Sequence, residues 1–146
     1  MMQPQAVLEV MGGSAAVHAP VRGLTDLRTE IRKGLRLEAL HKTVEHIFRD
    51  PAERRRFLYR LVPEGSYKRR VKFGHLTPGE SERVARVASV IALAEDVWGD
   101  AEAAREFLTT PHPELGDQPP IEVAVDDFGA RHVEQILYGI MHGLPA

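Results

Sequence analysis

The sequence predicts an all-α fold, and two kinds of observation support that prediction. Apolar residues recur at the three-and-four spacing of amphipathic helices, and capping residues, glycine or proline stand at the ends of these runs. The one stretch with strand-like alternation, residues 121–125, has no partner strand elsewhere, so we interpret it as a helical turn. We therefore expect helices packed on helices, in an N-terminal helix-turn-helix-like lobe followed by a small second helical domain.

An N-terminal arm and four short helices are predicted in the first half. The apolar stretch within residues 1–23 is interrupted by Glu9 and several glycines, and no basic residue precedes it, so we interpret 1–23 as a flexible arm rather than an export signal. Thr25 is the predicted cap of the first helix and Gly34 its end, and the apolar run from Leu37 to Phe48 predicts the second helix. Asp50-Pro51 begins the third helix, in which Phe57, Leu58 and Leu61 face inward. Pro63 and Gly65 end it before a short basic helix that Gly74 closes.

The second half contains the longest predicted helix, from Pro78 to Trp98. Thr77 and Glu80 form a capping-box pattern at its start, and Gly99 ends it. The later signals are Asp100 as the cap of a helix that ends at Thr110-Pro111, a proline-rich loop over 111–120, and Asp127 as the cap of a last helix that Gly143 ends.

Charge divides the chain between His75 and Leu76. Residues 1–75 carry 15 Lys+Arg and 8 Asp+Glu, whereas residues 76–146 carry 4 and 13. A basic half favours a polyanionic partner such as nucleic acid, and an acidic half repels it. We therefore predict a helix-turn-helix domain over 24–75 and a second domain with another partner over 76–146.

Composition excludes several function classes. The 146 residues contain no cysteine, which excludes disulfide scaffolds, cysteine nucleophiles and iron–sulfur clusters and favours the cytosol. No apolar run reaches the length of about 18 residues that a membrane span needs. We expect a cytoplasmic protein without a membrane segment.

The basic cluster is the candidate DNA-binding site. Eight basic residues fall within the nineteen positions from Arg54 to Lys72, on and beside a helix that follows a Pro/Gly turn, which is typical of a helix-turn-helix. The predicted DNA-binding residues are Arg54, Arg55, Ser66, Tyr67, Lys68, Arg69, Arg70 and Lys72. A solvated basic face, or a surface for an acidic protein, is the alternative interpretation.

No catalytic or metal constellation is found. His41 and His46 are five residues apart, whereas zinc-binding helices place two histidines four apart on one face. Phosphate-binding loops, dinucleotide fingerprints and nucleophile elbows are missing from the sequence. We therefore expect neither an enzyme nor a metal or cofactor site. Trp98, the only tryptophan, ends the longest helix and is a candidate anchor for a partner protein.

The second half resembles a known family. The succession Leu76-Thr-Pro-Gly-Glu80, Ala94-Glu-Asp-Val-Trp98-Gly99-Asp100, Phe107-Leu108, Leu115-Gly116, Pro119-Pro120, Gly129, Val133, Leu137, Ile140 and Gly143 is similar to the toxin-binding domain of Xre/MbcA/ParS antitoxins. Residues 62–70, with Tyr67 and the paired Arg69 and Arg70, are similar to the helix-turn-helix of that family.

This resemblance implies an antitoxin that pairs with a RES-domain toxin. Such toxins consume or transfer ADP-ribose from NAD, and the antitoxin covers their active site with its C-terminal lobe and tail. The toxin-binding residues implied here, together with Trp98, are Val133, Leu137, Ile140, Met141, His142, Gly143 and Leu144. Binding of operator DNA as a homodimer is also expected, because two-fold symmetric operators require a dimer. The alternative is a stand-alone helix-turn-helix regulator whose C-terminal domain dimerises or binds a ligand.

Overall fold

The computed structural model describes residues 3–143 and confirms the all-α prediction for that part of the chain. Nine α-helices and two 3₁₀ turns, Gly13–Ala16 and Pro113–Leu115, make up its regular structure, and the described residues contain no strand beyond two isolated bridges. The helices in chain order are α1 (Pro4–Val10), α2 (Leu24–Lys33), α3 (Leu37–Ile47), α4 (Pro51–Leu61), α5 (Glu64–Phe73), α6 (Pro78–Trp98), α7 (Ala101–Thr109), α8 (Pro120–Val123) and α9 (Asp127–Met141).

The long helix α6 is the centre of the molecule. Helices α1 to α4 pack on it from the first half, and α7, α8 and α9 pack on it from the second. Val84, Val87, Val90 and Ile91 are fully buried, so α6 is covered on more sides than the predicted single apolar stripe. The buried apolar residues of both halves therefore form one continuous core, and the predicted boundary at residue 75 does not separate two cores.

The N-terminal arm is part of that core. The interpretation of residues 1–23 as a flexible arm is wrong for the described residues 3–23, because Val7, Val10 and Met11 are each no more than 2% exposed. The buried Glu30 carboxylate accepts the backbone N–H of His18 at 2.6 Å, which fastens the arm to α2. A short apolar segment interrupted by glycines gives no sequence signal for this packing, which depends on α6.

Most helix-boundary signals are confirmed. Asp50 and Asp100 accept backbone N–H groups as N-caps of α4 and α7, and the capping box of Thr77 with Glu80 starts α6. The stretch 121–125 forms a helical turn as predicted, since residues 121–123 belong to α8 and residues 124 and 125 form a turn. Two predicted N-caps are wrong by one or two positions in the sequence: the N-cap of α2 is Gly23 rather than Thr25, and that of α9 is Asp126 rather than Asp127.

The two halves of the chain are joined by backbone and arginine contacts. Leu76 N–H donates to the Leu35 carbonyl at 2.8 Å, which ties the end of α2 to the start of α6. From the second half, Arg83 donates to the Leu61 carbonyl at the end of α4 at 2.6 Å, and Arg105 donates to the His46 and Ile47 carbonyls at the end of α3 at 3.1 Å each. These arginines satisfy carbonyls that a helix end leaves without an intrahelical partner.

Candidate functional surfaces

Helix α5 has an inner and an outer face. No residue of this helix is fully buried, but Tyr67 and Arg70, three residues apart, both point inward. The Tyr67 hydroxyl is 3.0 Å from His41 Nε2, and the Arg70 guanidinium donates to the Glu80 carboxylate at 2.7 Å. Both side chains therefore attach α5 to the rest of the molecule.

The outer face of α5 carries three cations, Lys68, Arg69 and Lys72, all exposed. Their contacts are weak: Lys68 Nζ is 3.9 Å from the Glu64 carboxylate, and Arg69 donates to the Ser66 hydroxyl at 3.3 Å. Exposed pairs of this kind are worth little and are screened by salt. This surface, Lys68, Arg69 and Lys72, is available to an anionic partner, and we call it the basic face.

The arginines of α4 are mostly bound within the chain. Arg54 donates to the Phe48 carbonyl, while Arg56 and Arg60 both pair with Glu122 of the second half. Arg55 is exposed. Of the eight predicted DNA-binding residues, Arg54 and Arg70 make contacts within the chain, and their part in DNA binding stays a prediction.

The pKa shifts of Glu80 and Tyr67 agree with the role of the inner face of α5 in attaching this helix. Burial raises the pKa of Glu80, but the hydrogen bonds from Arg70 and Thr77 outweigh it, and the resulting pKa lies below its ordinary value. Burial, and then the neighbouring Tyr59, raises the pKa of the Tyr67 hydroxyl. Glu80 therefore serves both the capping box of α6 and the attachment of α5.

Helix α9 also has two faces. Val133 and Leu137 are fully buried against the core, which corrects their predicted direct contact with a toxin: their side chains have no exposed surface. The outer side carries Phe128, 80% exposed, with His132 and Gln135 at helical spacing. The exposed surface of α9 therefore includes this outer face, defined by Phe128, His132 and Gln135, and the helix end.

The end of α9 is accessible. Ile140 is half-buried and packs on the core, Met141 is 42% exposed, and His142 and Gly143 are exposed. Leu144, also predicted to bind a toxin, lies outside the described residues. At its start, α9 approaches α8 so closely that a Cβ on Gly129 would lie 2.0 Å from the Val123 carbonyl oxygen.

A pocket beside Trp98 brings in residues that sequence reasoning missed. The Trp98 ring is 5.9 Å from Phe107, and Phe107 is 6.1 Å from the His112 ring in an edge-to-face arrangement. Glu106 also lines this cavity of about 390 Å³. The predicted helix end at Gly99, followed at once by the cap at Asp100, could have indicated that Trp98 and Phe107 lie close together, whereas nothing in the sequence pattern indicates that His112 joins them.

A second cavity, of about 320 Å³, lies between α1, α6 and α9. Glu95, Asp96 and Glu134 line it, and burial raises the pKa of Glu134. The Glu95 carboxylate is also 2.7 Å from Nε2 of His46, one of the two histidines for which the sequence predicts no metal site. The C-terminal end of α9 is therefore bordered by acidic side chains.

The family comparison covers the region of these C-terminal surfaces. Residues 93–143 match the family described as the antitoxin Xre/MbcA/ParS C-terminal toxin-binding domain. Over 119 residues the chain is 29% identical to Antitoxin Xre of Pseudomonas putida, a match that covers 81% of this chain and 72% of the relative. The chain is also 35% identical over 78 residues to Antitoxin Xre of Yersinia enterocolitica, covering 53% of each chain.

The family match separates the surfaces of the chain. The matched segment runs from the second half of α6 to the end of α9, so it contains the Trp98 pocket and the outer face of α9, whereas the basic face of α5 precedes it. Among the residues that the structure describes, no helix has the length and apolar character needed to cross a bilayer.

Proposed function

We propose that this protein is an antitoxin, which neutralises a RES-domain toxin that consumes or transfers ADP-ribose from NAD by covering the toxin's active site with the C-terminal part of the chain. The observation that carries the proposal is the toxin-binding-domain match over residues 93–143, which ends where Met141, His142 and Gly143 are exposed. A narrow nucleotide cleft admits a thin helix end with a glycine. The acidic half of the chain suits a cleft that holds a pyrophosphate.

The contacting set differs from the one implied by resemblance alone. Val133 and Leu137 hold α9 on the core, while Ile140, Met141 and His142 with the tail form the contact. The exposed ring of Phe128 extends the contact along α9, because large aromatic side chains supply much of the binding energy at protein interfaces. Fixing α9 in advance on α6 and α8 reduces the entropy lost on binding.

A truncation tests the occlusion model. Removing residues 141–146 deletes the exposed helix end but none of the described buried side chains, so the fold stays intact and neutralisation is lost. The measurement is cellular NAD and growth when the product of the adjacent gene is expressed with the full or truncated chain. Circular dichroism and thermal denaturation of both chains provide the control for folding. Full protection by the truncated chain would contradict occlusion by the helix end.

We also propose that the protein binds operator DNA in the cytosol as a homodimer, with the basic face of α5 on phosphates. The support is a surface helix whose outer cations Lys68, Arg69 and Lys72 have only weak partners. Each phosphate contact contributes about 0.9 units to the slope of log K against log salt. Tyr67 and Arg70 bind other parts of the chain and orient the helix, Ser66 accepts a hydrogen bond from Arg69 of the basic face, and Arg55 on α4 is exposed.

Replacing Lys68, Arg69 and Lys72 by alanine tests the DNA proposal. Affinity for DNA from the promoter of its own gene falls, and the salt slope flattens by about two to three units, since up to three phosphate contacts are removed. Arg28→Ala, an exposed arginine on α2, is the matched control and leaves both unchanged. An unaltered slope in the triple variant would exclude α5 as the contact.

A chain that binds DNA but forms no complex with the product of the adjacent gene would favour the stand-alone regulator.

A further inference from the structure

The Trp98 pocket has the aromatic walls of a site for a flat cation. Trp98 is 40% exposed although it is the largest side chain in the protein, and its neighbour Phe107 is half-buried. The Phe107 ring lies between Trp98 and His112, at 5.9 Å from one and 6.1 Å from the other. The exposed part of the Trp98 ring can contact a cation that enters from solvent.

The pocket is formed before any partner arrives. Gly99, in the left-handed conformation with φ 68°, ends α6, and the Asp100 carboxylate accepts the Ala103 N–H at 2.9 Å, which fixes the start of α7. The His112 backbone N–H donates to the Gln118 carbonyl at 3.1 Å, and His112 Nδ1 accepts the Glu114 N–H at 3.1 Å. Because both sides are held by the fold, binding costs little reorganisation here.

The half of the chain that holds the pocket, residues 76–146, carries 13 Asp+Glu against 4 Lys+Arg. The four cations of residues 76–143 are already bound within the chain: Arg83 to Leu61, Arg86 to Val125, Arg105 to His46 and Ile47, and Arg131 to Asp127. Glu102, one helical turn before Glu106, forms ion pairs with Arg49 and Arg105. Glu106 lines the pocket and is exposed, and no ion pair among the described residues involves it. A cationic group is therefore favoured there over an anionic or a neutral one.

We propose that this pocket is a second contact with the toxin and accepts an arginine side chain of the toxin, with the guanidinium stacked on Trp98 and Phe107 and hydrogen-bonded to the Glu106 carboxylate. A planar guanidinium combines ring stacking with donors for a carboxylate, which a lysine ammonium does less well. The inference rests on the proposed function and names a contact separate from the occluding end of α9.

Affinity measurements with the purified product of the adjacent gene test the proposal. Trp98→Ala weakens the complex about tenfold or more, and Trp98→Phe weakens it less because it keeps an aromatic face. Glu106→Gln weakens it several-fold and makes the affinity less sensitive to added sodium chloride. Glu114→Gln, an exposed acid of the same half outside the pocket lining, is the matched control and leaves both unchanged.

The outcomes separate this inference from the proposed function. If the unaltered chain forms no complex, the proposed function fails. If the complex forms and depends on residues 141–146, but Trp98→Ala and Glu106→Gln bind as the unaltered chain does, the arginine pocket is overturned and the proposed function stands. If Trp98→Ala weakens the complex and Glu106→Gln changes neither the affinity nor the salt sensitivity, the occupant is apolar and the arginine assignment is wrong. Should Trp98→Ala fail to fold, Glu106→Gln on the exposed side of α7 decides alone.

Discussion

At the scale of single residues, close backbone approaches and one shared carboxylate connect the two halves of the chain. A Cβ on Gly34 would lie 2.2 Å from the Leu76 carbonyl oxygen, and Gly34 also has φ +96°. Glu80 bonds at once to the start of α6 and to Arg70 of α5. Changes at these positions therefore affect elements that are distant in the sequence.

Gly34→Ala is expected to destabilise the protein by about 3 kcal/mol, since it adds a backbone clash to the cost of a left-handed conformation. Gly74→Ala is the matched control: Gly74 has φ +77° but open space around its Cβ position, so only the conformational cost of about 1 kcal/mol applies. Urea denaturation of the three proteins measures the difference. Equal losses in the two variants would show that the approach to Leu76 is not limiting.

Glu80→Gln is expected to cost about 2 kcal/mol at neutral pH, because Glu80 is a largely buried carboxylate paired with Arg70. The pKa of Glu80 is lowered in the folded state, so its stabilisation is present above its ordinary value of 4.5 and is lost as the pH falls below that value. Thermal denaturation from pH 7 to about pH 3 should therefore bring the two proteins together at the acidic end. Glu64→Gln, an exposed partner of Lys68, is the control, and a constant difference at all pH values would contradict the assigned role.

At the scale of elements, α5 and α9 each combine an inner face that attaches the helix with an outer face that is free for a partner. On α9 the inner face is Val133 and Leu137, and the outer face is Phe128, His132 and Gln135. Helical periodicity in the sequence identifies the apolar stripe, but it does not say whether that stripe packs on the core or on a partner. Stability and binding should therefore respond to different sides of the same helix.

Leu137→Ala is expected to destabilise the protein by about 3 kcal/mol through a cavity in the core. Gln135→Ala, two residues away on the exposed side, is expected to stay within about 0.5 kcal/mol of the unaltered chain. Chemical denaturation of both variants tests this assignment. A stable Leu137→Ala chain that fails to bind the toxin would instead support direct contact by Leu137.

At the scale of the whole molecule, α6 supplies core to both halves. Helices α1 to α4 of the first half and α7 to α9 of the second half all pack on it. Arginines of the second half also donate to backbone carbonyls of the first half. The charge asymmetry therefore describes two surfaces on one core rather than two bodies. Cooperative unfolding is the expected behaviour of a small continuous core of this kind.

A fragment of residues 1–75 is expected to lack a fixed tertiary structure, because it loses α6 and the contacts of Arg83 and Arg105. A fragment of residues 1–99, which retains α6, is the comparison and should be more ordered. Amide proton dispersion by NMR and the cooperativity of thermal unfolding measure both. A cooperatively folded 1–75 fragment would restore the prediction of an independent N-terminal domain.

The sequence by itself determined the fold class and most helix limits. Helix caps, glycine stops and three-and-four spacing are local effects, so Asp50, Asp100, Thr77 and Gly99 could be assigned from neighbouring residues alone. Which surfaces are free was decided by tertiary structure. The packing of the arm on α6, the pairing of Arg70 with Glu80 and the burial of Val133 depend on residues far apart in the chain, and short-range patterns carry no information about such contacts.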